Sequence, residues 1–189
     1  LGFFLLQEQK WVRQNLRQYS RELIHPWYPL QPFEQQNQFD EFAQENQVII
    51  AYMMAELLEG NEGEWQINTA DDSRQDIRFV DALIDEMSER YCVDQSRIYA
   101  MGYSLGGMFV YDLACHLNSR FAAIASVAGS MPIEPNSCVI DDPVALLHIH
   151  GQYDSIIPYA DEWDWKNWDE VGRMMDVPSV IDFWGNKYN

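Results

Sequence analysis

Arg97-Ile98-Tyr99-Ala100-Met101-Gly102 runs directly into Tyr103-Ser104-Leu105-Gly106-Gly107, and from there into Met108-Phe109-Val110-Tyr111-Asp112-Leu113-Ala114. The first six residues have the length and apolarity of a strand buried in a sheet. Val110, Leu113, Ala114 and Leu117 recur at helical spacing, which predicts a helix over about 105–117. Between them stands Gly102-Tyr103-Ser104-Leu105-Gly106, a G-x-S-x-G pentapeptide with Gly107 behind it. With glycine at about 7% of residues, chance places this pattern in only a few per cent of chains this long. The strand before it and the helix after it make coincidence rarer still.

The chemistry asks for this arrangement. A serine on a sharp, strained strand-to-helix turn projects its hydroxyl clear of the backbone, and flanking glycines let the chain pass close by. The following helix aims its N-terminus at that hydroxyl, and the Leu105 N–H lies where an oxyanion would form. Ser104 is therefore the candidate nucleophile, Leu105 the candidate oxyanion donor, and Gly102, Gly106 and Gly107 the candidate elbow glycines. A glycine-rich turn without chemistry, as in phosphate-binding loops, is the competing reading.

A serine hydroxyl needs a base, and the base needs an orienting acid. On a strand-turn-helix elbow their order along the chain is serine, acid, histidine. Asp154 follows the apolar run Val144–His150 by the short turn Gly151-Gln152-Tyr153, at the carboxyl edge where such loops gather. It is the candidate acid; a turn aspartate capping Ser155-Ile156 is the alternative. The four histidines are His25, His116, His148 and His150, and none follows Asp154. His148 and His150 alternate onto one face of a buried strand and read as satisfied core residues, while His116 sits far along a helix. The base is expected beyond Asn189.

Outward from the elbow the pattern is regular. Val48–Tyr52 is a continuous apolar run predicting a strand buried on both faces, and residues 53–73 make an irregular connection. Ser73 with Asp76 suggests a capping box opening a helix whose inner face is Ile77, Val80, Ile84, Met87 and Tyr91. Ala122–Val127 and Val144–His150 complete four strands alternating with helices, the pattern of an α/β fold with a mostly parallel sheet. Before Val48, residues 8–24 have helical spacing (Val12, Leu16, Tyr19, Leu23), three prolines break the chain at 26–32, and a short helix spans about 38–44. Two regions result: 1–47, whose pattern is poorly defined, and 48–189, the regular core.

Thirty Asp and Glu against twelve Lys and Arg give a net charge of −18 over 189 residues, while apolar residues make up 47%. Such a chain folds, and its surface repels polyanions, which argues against nucleic acid and anionic membrane as partners. No stretch nears the roughly 20 apolar residues of a membrane span. The opening Leu1-Gly2-Phe3-Phe4-Leu5-Leu6 reads as a buried strand or helix end, or as the tail of a secretion signal. Cys92, Cys115 and Cys138 lack C-x-x-C spacing, so no zinc site is expected, and one disulfide plus a thiol or three buried thiols both fit. Trp163, Trp165 and Trp168 alternate with acidic residues and read as indoles packed on the fold, with a substrate-gripping stripe as the alternative.

The segment Arg90–Tyr99 running into Gly102–Met108, with Arg120–Ile124, Val127-Ala128-Gly129, Leu147–Gly151, Asp154, Ile157-Pro158-Tyr159, Val177–Val180 and Phe183-Trp184, resembles the polyhydroxybutyrate depolymerase and feruloyl esterase family of α/β-hydrolases. The resemblance covers the chain from about Val48 onward. It implies secreted, cofactor-free enzymes that cleave carboxylic esters, with polyhydroxyalkanoates, feruloyl or acetyl groups on polysaccharide, or small esters as substrates. It implies Ser104 as nucleophile and Asp154 as acid, a histidine downstream of this sequence, and a His-Gly loop upstream of Val48 supplying a second oxyanion donor. Residues 1–47 hold no His-Gly pair, so the core is expected to be incomplete at both ends. The family's cysteine pattern implies a fourth cysteine beyond Trp184, which would account for the odd count. A catalytically incomplete scaffold used for binding is the rival reading, and a peptidase the lesser one.

Overall fold

The computed structural model describes residues 2–8, 39–53, 55, 65–69, 74–135, 137–164 and 171–187. Its main sheet is built from β1 (Gly2–Glu8), β2 (Val48–Met53), β3 (Val93–Tyr103), β4 (Ala123–Val127) and β5 (Ala145–Ile149), in the order β2-β1-β3-β4-β5. Three helices matter most: α2 (Gln75–Arg90), α3 (Leu105–His116) and α4 (Val177–Lys187), with α1 (Phe39–Asn46) leading into β2. The chain is α/β, as its alternating pattern predicts.

Strands β3, β4 and β5 are parallel, each reached by a crossover, whereas β1 runs antiparallel to both β2 and β3. β1 therefore lies inside the sheet, with Gly2 beside Gly102 at the end of the serine strand. Glu8, expected to open a helix, ends this strand, and the rest of the helix expected to 24 lies outside the described residues. Ser73 of the expected capping box lies outside them too; Asp76 accepts the Gln66 N–H at 2.8 Å.

β2 differs from expectation in one respect. Its residues 48–52 are only half-buried, because among the described strands it is outermost and pairs with β1 alone. A continuous apolar run says that both faces are covered, not that both edges are. β5 is outermost among the described strands as well, with Leu147 and Ile149 more than half exposed.

The core sits between the sheet and its helices. α3 is buried from Gly106 to Cys115, so it lies within the protein rather than on it. Ile98, Ala100 and Ile124 of the sheet pack with Met108, Phe109, Val110, Leu113 and Ala114 of α3, and with Ile77, Val80, Ile84 and Met87 of α2. Trp65 stacks on Phe109 with ring centroids 4.4 Å apart, which makes it a core residue. Arg120 reaches back to Asp81 at 2.8 Å and to Asp85, pinning the turn before β4 to α2. Trp163 pairs with Met174 in a two-stranded ribbon, β6 (Trp163–Asp164) with β7 (Arg173–Met174), and packs on the core; Trp165 and Trp168 lie outside the described residues.

Candidate active site

Ser104 stands at φ 54° and ψ −121°, between the last residue of β3 and the first of α3. Non-glycine residues avoid this region, and where one persists the surroundings must hold it. Two backbone hydrogen bonds do so: the Ser104 N–H donates to the Val127 carbonyl at 2.8 Å, and the Met108 N–H to the Ser104 carbonyl at 3.0 Å. A Cβ on Gly102 would collide with the Gly106 carbonyl, so the elbow needs glycine there. Gly107 is nearly as tight, its Cβ position 3.0 Å from Ser126 Oγ and from the Val127 carbonyl. Gly106 is buried in the first turn of α3. Leu105 is its first residue, so its N–H is one of the donors with no intrahelical acceptor.

Asp154 lies on the loop after β5, on the same carboxyl edge. Its Oδ1 accepts the N–H groups of Ile156 at 2.8 Å and Ile157 at 3.0 Å. Those bonds, Ile157's first, hold its carboxyl below the ordinary carboxylate range, with the His150 imidazole adding a smaller pull. The turn thus spends Oδ1 and leaves Oδ2 outside it. Ser104 and Asp154 follow strands β3 and β5, with β4 between them, and a base serving both would sit in the gap between these two strand ends.

No described histidine is placed to bridge it. His116 ends the 12-residue helix that Ser104 begins, about 18 Å away along the axis. His148 and His150 spend their ring nitrogens on one another and on Tyr111 and the Ile157 carbonyl. They are satisfied histidines, as their alternation predicts, but His148 lies on the outermost described strand and His150 just past its end. His25 lies outside the described residues.

Several residues of this region carry no sequence motif. Gly102 in β3, Ser126 in β4 and His148 in β5 are register partners, forming one row across the parallel strands. Against that row lie Gly107 and Tyr111 of α3, one helical turn apart. Ser126 is fully buried and donates to the Gly107 carbonyl at 2.9 Å. Gly129, beyond β4, lets Gly107 approach: a Cβ there would stand 2.5 Å from the Gly107 carbonyl carbon. Asp112 is buried, accepts the Asn68 N–H at 2.6 Å, and is pushed by burial up to about 7. A lone serine in an apolar strand was the available signal for Ser126; nothing local marked Asp112.

Cys115 and Cys138 form a disulfide across 23 residues, and Cys92 is an exposed free thiol. This decides between the two cysteine states that fitted the sequence. Among the described residues no group of three or more His, Cys, Asp or Glu side chains is arranged to hold a metal ion, and no helix is long and apolar enough to cross a membrane.

A family model described as phospholipase/carboxylesterase matches residues 22–167. A probable feruloyl esterase C of Aspergillus clavatus is 32% identical over 138 residues, which is 73% of this chain and 43% of that protein. A feruloyl esterase C of Emericella nidulans is 34% identical over 89 residues, 47% of this chain and 32% of its own length. The bifunctional acetylxylan esterase/xylanase XynS20E of Neocallimastix patriciarum is 33% identical over 85 residues, covering 45% of this chain and 12% of that protein. The chain spans less than half the length of these relatives.

Proposed function

The chain belongs to the phospholipase/carboxylesterase family of α/β-hydrolases, and from that premise we propose that it is the core of a serine carboxylesterase acting on feruloyl or acetyl esters of plant polysaccharide. The backbone of Ser104 carries the reading: a non-glycine residue at φ 54° between a parallel strand and a buried helix. Strain of this kind clusters at functional sites, and its place at a strand-to-helix turn is that of a nucleophile elbow. The printed names of the relatives, feruloyl esterase and acetylxylan esterase, support the substrate class. The Cys115–Cys138 disulfide supports an oxidising, extracellular setting.

In the reaction Ser104 Oγ attacks the ester carbonyl as its proton passes to a histidine outside the described residues. The carbonyl oxygen, now an anion, is met by the Leu105 N–H at the positive end of α3. The carbon–oxygen bond to the alcohol breaks, the histidine returns the proton to the leaving oxygen, and water then cleaves the acyl-serine by the same route. Asp154 orients the histidine through Oδ2 while the turn holds Oδ1. No metal or organic cofactor has a part in it.

The test is fluorophosphonate labelling of the full-length protein, followed by peptide mapping and by turnover of methyl ferulate, acetylated xylan and a soluble polyhydroxybutyrate oligomer. Label on Ser104, its loss in Ser104→Ala, and faster turnover of the first two substrates are expected. A folded, unlabelled Ser104 refutes the nucleophile, and preference for the polyester refutes the substrate class.

A further inference from the structure

Beside the elbow runs a line of buried and half-buried polar groups that the proposed reaction does not use. The Tyr111 hydroxyl lies 2.6 Å from His148 Nδ1, His148 Nε2 lies 3.2 Å from His150 Nδ1, and His150 Nε2 lies 2.9 Å from the Ile157 carbonyl. The two imidazoles are parallel, their planes within 5° and centroids 5.3 Å apart, and Tyr159 closes over His150 edge-on. His150 has 1% of its side chain exposed. Its Nε2 is 3.8 Å from Asp154 Oδ2, too far for a hydrogen bond.

The ends of this line fix its direction. A carbonyl only accepts, so His150 Nε2 carries the hydrogen that points to Ile157. In the neutral ring His150 Nδ1 then accepts, which places the shared hydrogen on His148 Nε2. His148 Nδ1 accepts in turn from Tyr111. Burial keeps the proton on the Tyr111 hydroxyl by raising it well above its ordinary range. Burial first, and the neighbouring His150 second, push His148 down to about 4, so its ring is neutral near pH 7.

Both ends of the line are attached to the reaction machinery. Tyr111 sits on the helix that Ser104 begins. Ile157 uses its carbonyl to accept from His150 and its N–H to donate to Asp154 Oδ1. We propose that Tyr111, His148 and His150 are positioning residues for Asp154: one-directional hydrogen bonds, from the tyrosine hydroxyl through both imidazoles to the Ile157 carbonyl, tie the acid's loop to the helix that carries the nucleophile. The proposal rests on the reading of Asp154 as the acid. It gives His148 and His150 work in catalysis through the loop that holds Asp154.

Two measurements on the full-length protein test it. Long-range 15N–1H NMR reads the tautomers directly: both rings are expected as the Nε2–H form near pH 7, and an Nδ1–H form at either histidine overturns the chain. Steady-state kinetics on p-nitrophenyl acetate reads the positioning. His150→Phe is expected to lower kcat about tenfold with KM within about twofold, since small misplacements of an orienting group act on the transition state. His150→Gln, whose amide nitrogen can reach Ile157, is expected to restore most of that loss, and His150→Asn, which is too short, is not; this pair decides the matter if His150→Phe does not fold. Tyr111→Phe is expected to lower kcat by about two- to fivefold on the same grounds. In an Asp154→Asn background the His150 substitutions are expected to cost nothing further. Loss of kcat in Asp154→Asn, with kcat unchanged in His150→Phe, overturns the positioning role alone. Unchanged kcat in Asp154→Asn overturns the acid itself, and with it the positioning of that acid.

Discussion

Ser104 holds a backbone conformation that costs roughly 1–3 kcal/mol for a residue with a Cβ. Ser104→Gly removes the strain with the hydroxyl, so it is expected to be about 1 kcal/mol more stable than Ser104→Ala, both being inactive. Urea midpoints of the two variants check this. Asp112 makes a second prediction at this scale. Its folded-state pKa is raised from 3.8 to about 7, burial being the cause, with the Asn68 N–H and the charge of Arg74 pulling the other way. As pH rises from 4 to 7 the unfolded chain gives up this proton and the folded chain keeps it, so stability falls across that window and levels above it. Asp112→Asn keeps an acceptor for Asn68 and is expected to lose this slope, read as the wild-type-minus-variant difference in melting temperature between pH 4 and pH 8. The sequence marked Ser104 through its glycine neighbours. It did not mark Asp112, because a helical aspartate is ordinarily solvated, whereas this one lies on a helix buried along most of its length and accepts from Asn68.

At the scale of elements, the site is a meeting of three strand ends with one helix. α3 comes close to the sheet because Gly102, Gly107 and Gly129 leave it room. Gly129→Ala puts a methyl group 2.5 Å from the Gly107 carbonyl carbon and from Ser126 Oγ, and the Gly107 backbone cannot retreat without moving α3. It is expected to cost about 2–3 kcal/mol and at least tenfold in kcat, since overpacking at a backbone contact has no rotamer to relieve it. Gly151→Ala, with only Asp154 N at 4.0 Å, is the matched control and is expected to be near neutral. Chemical denaturation and p-nitrophenyl acetate turnover measure both. The strands and helices around the elbow were legible because each carries its own period. The position of β2, outermost among the described strands, was not, since an apolar run looks the same with one paired neighbour or two.

At the scale of the whole molecule, the Cys115–Cys138 disulfide joins the buried end of α3 to the connection between β4 and β5. Closing a loop of 23 residues stabilises by about 3 kcal/mol in the chain-entropy account. Reduction is therefore expected to lower the melting temperature by about 10 °C, while Cys92→Ser leaves it unchanged; calorimetry with and without reductant checks this. The charge of −18 adds a diffuse term of its own, because like charges on a compact surface repel. By itself the sequence determined the α/β class, the strand–turn–helix around Ser104 and the turn that carries Asp154, since each is written in residues that are neighbours or one helical or strand period apart. Only the tertiary structure decided which cysteines pair, where β1 enters the sheet, that Asp112 is buried, and that His148 and His150 lie between Tyr111 and Ile157. Those contacts join segments brought together by the way the faces of helices and strands meet, and no local pattern records that.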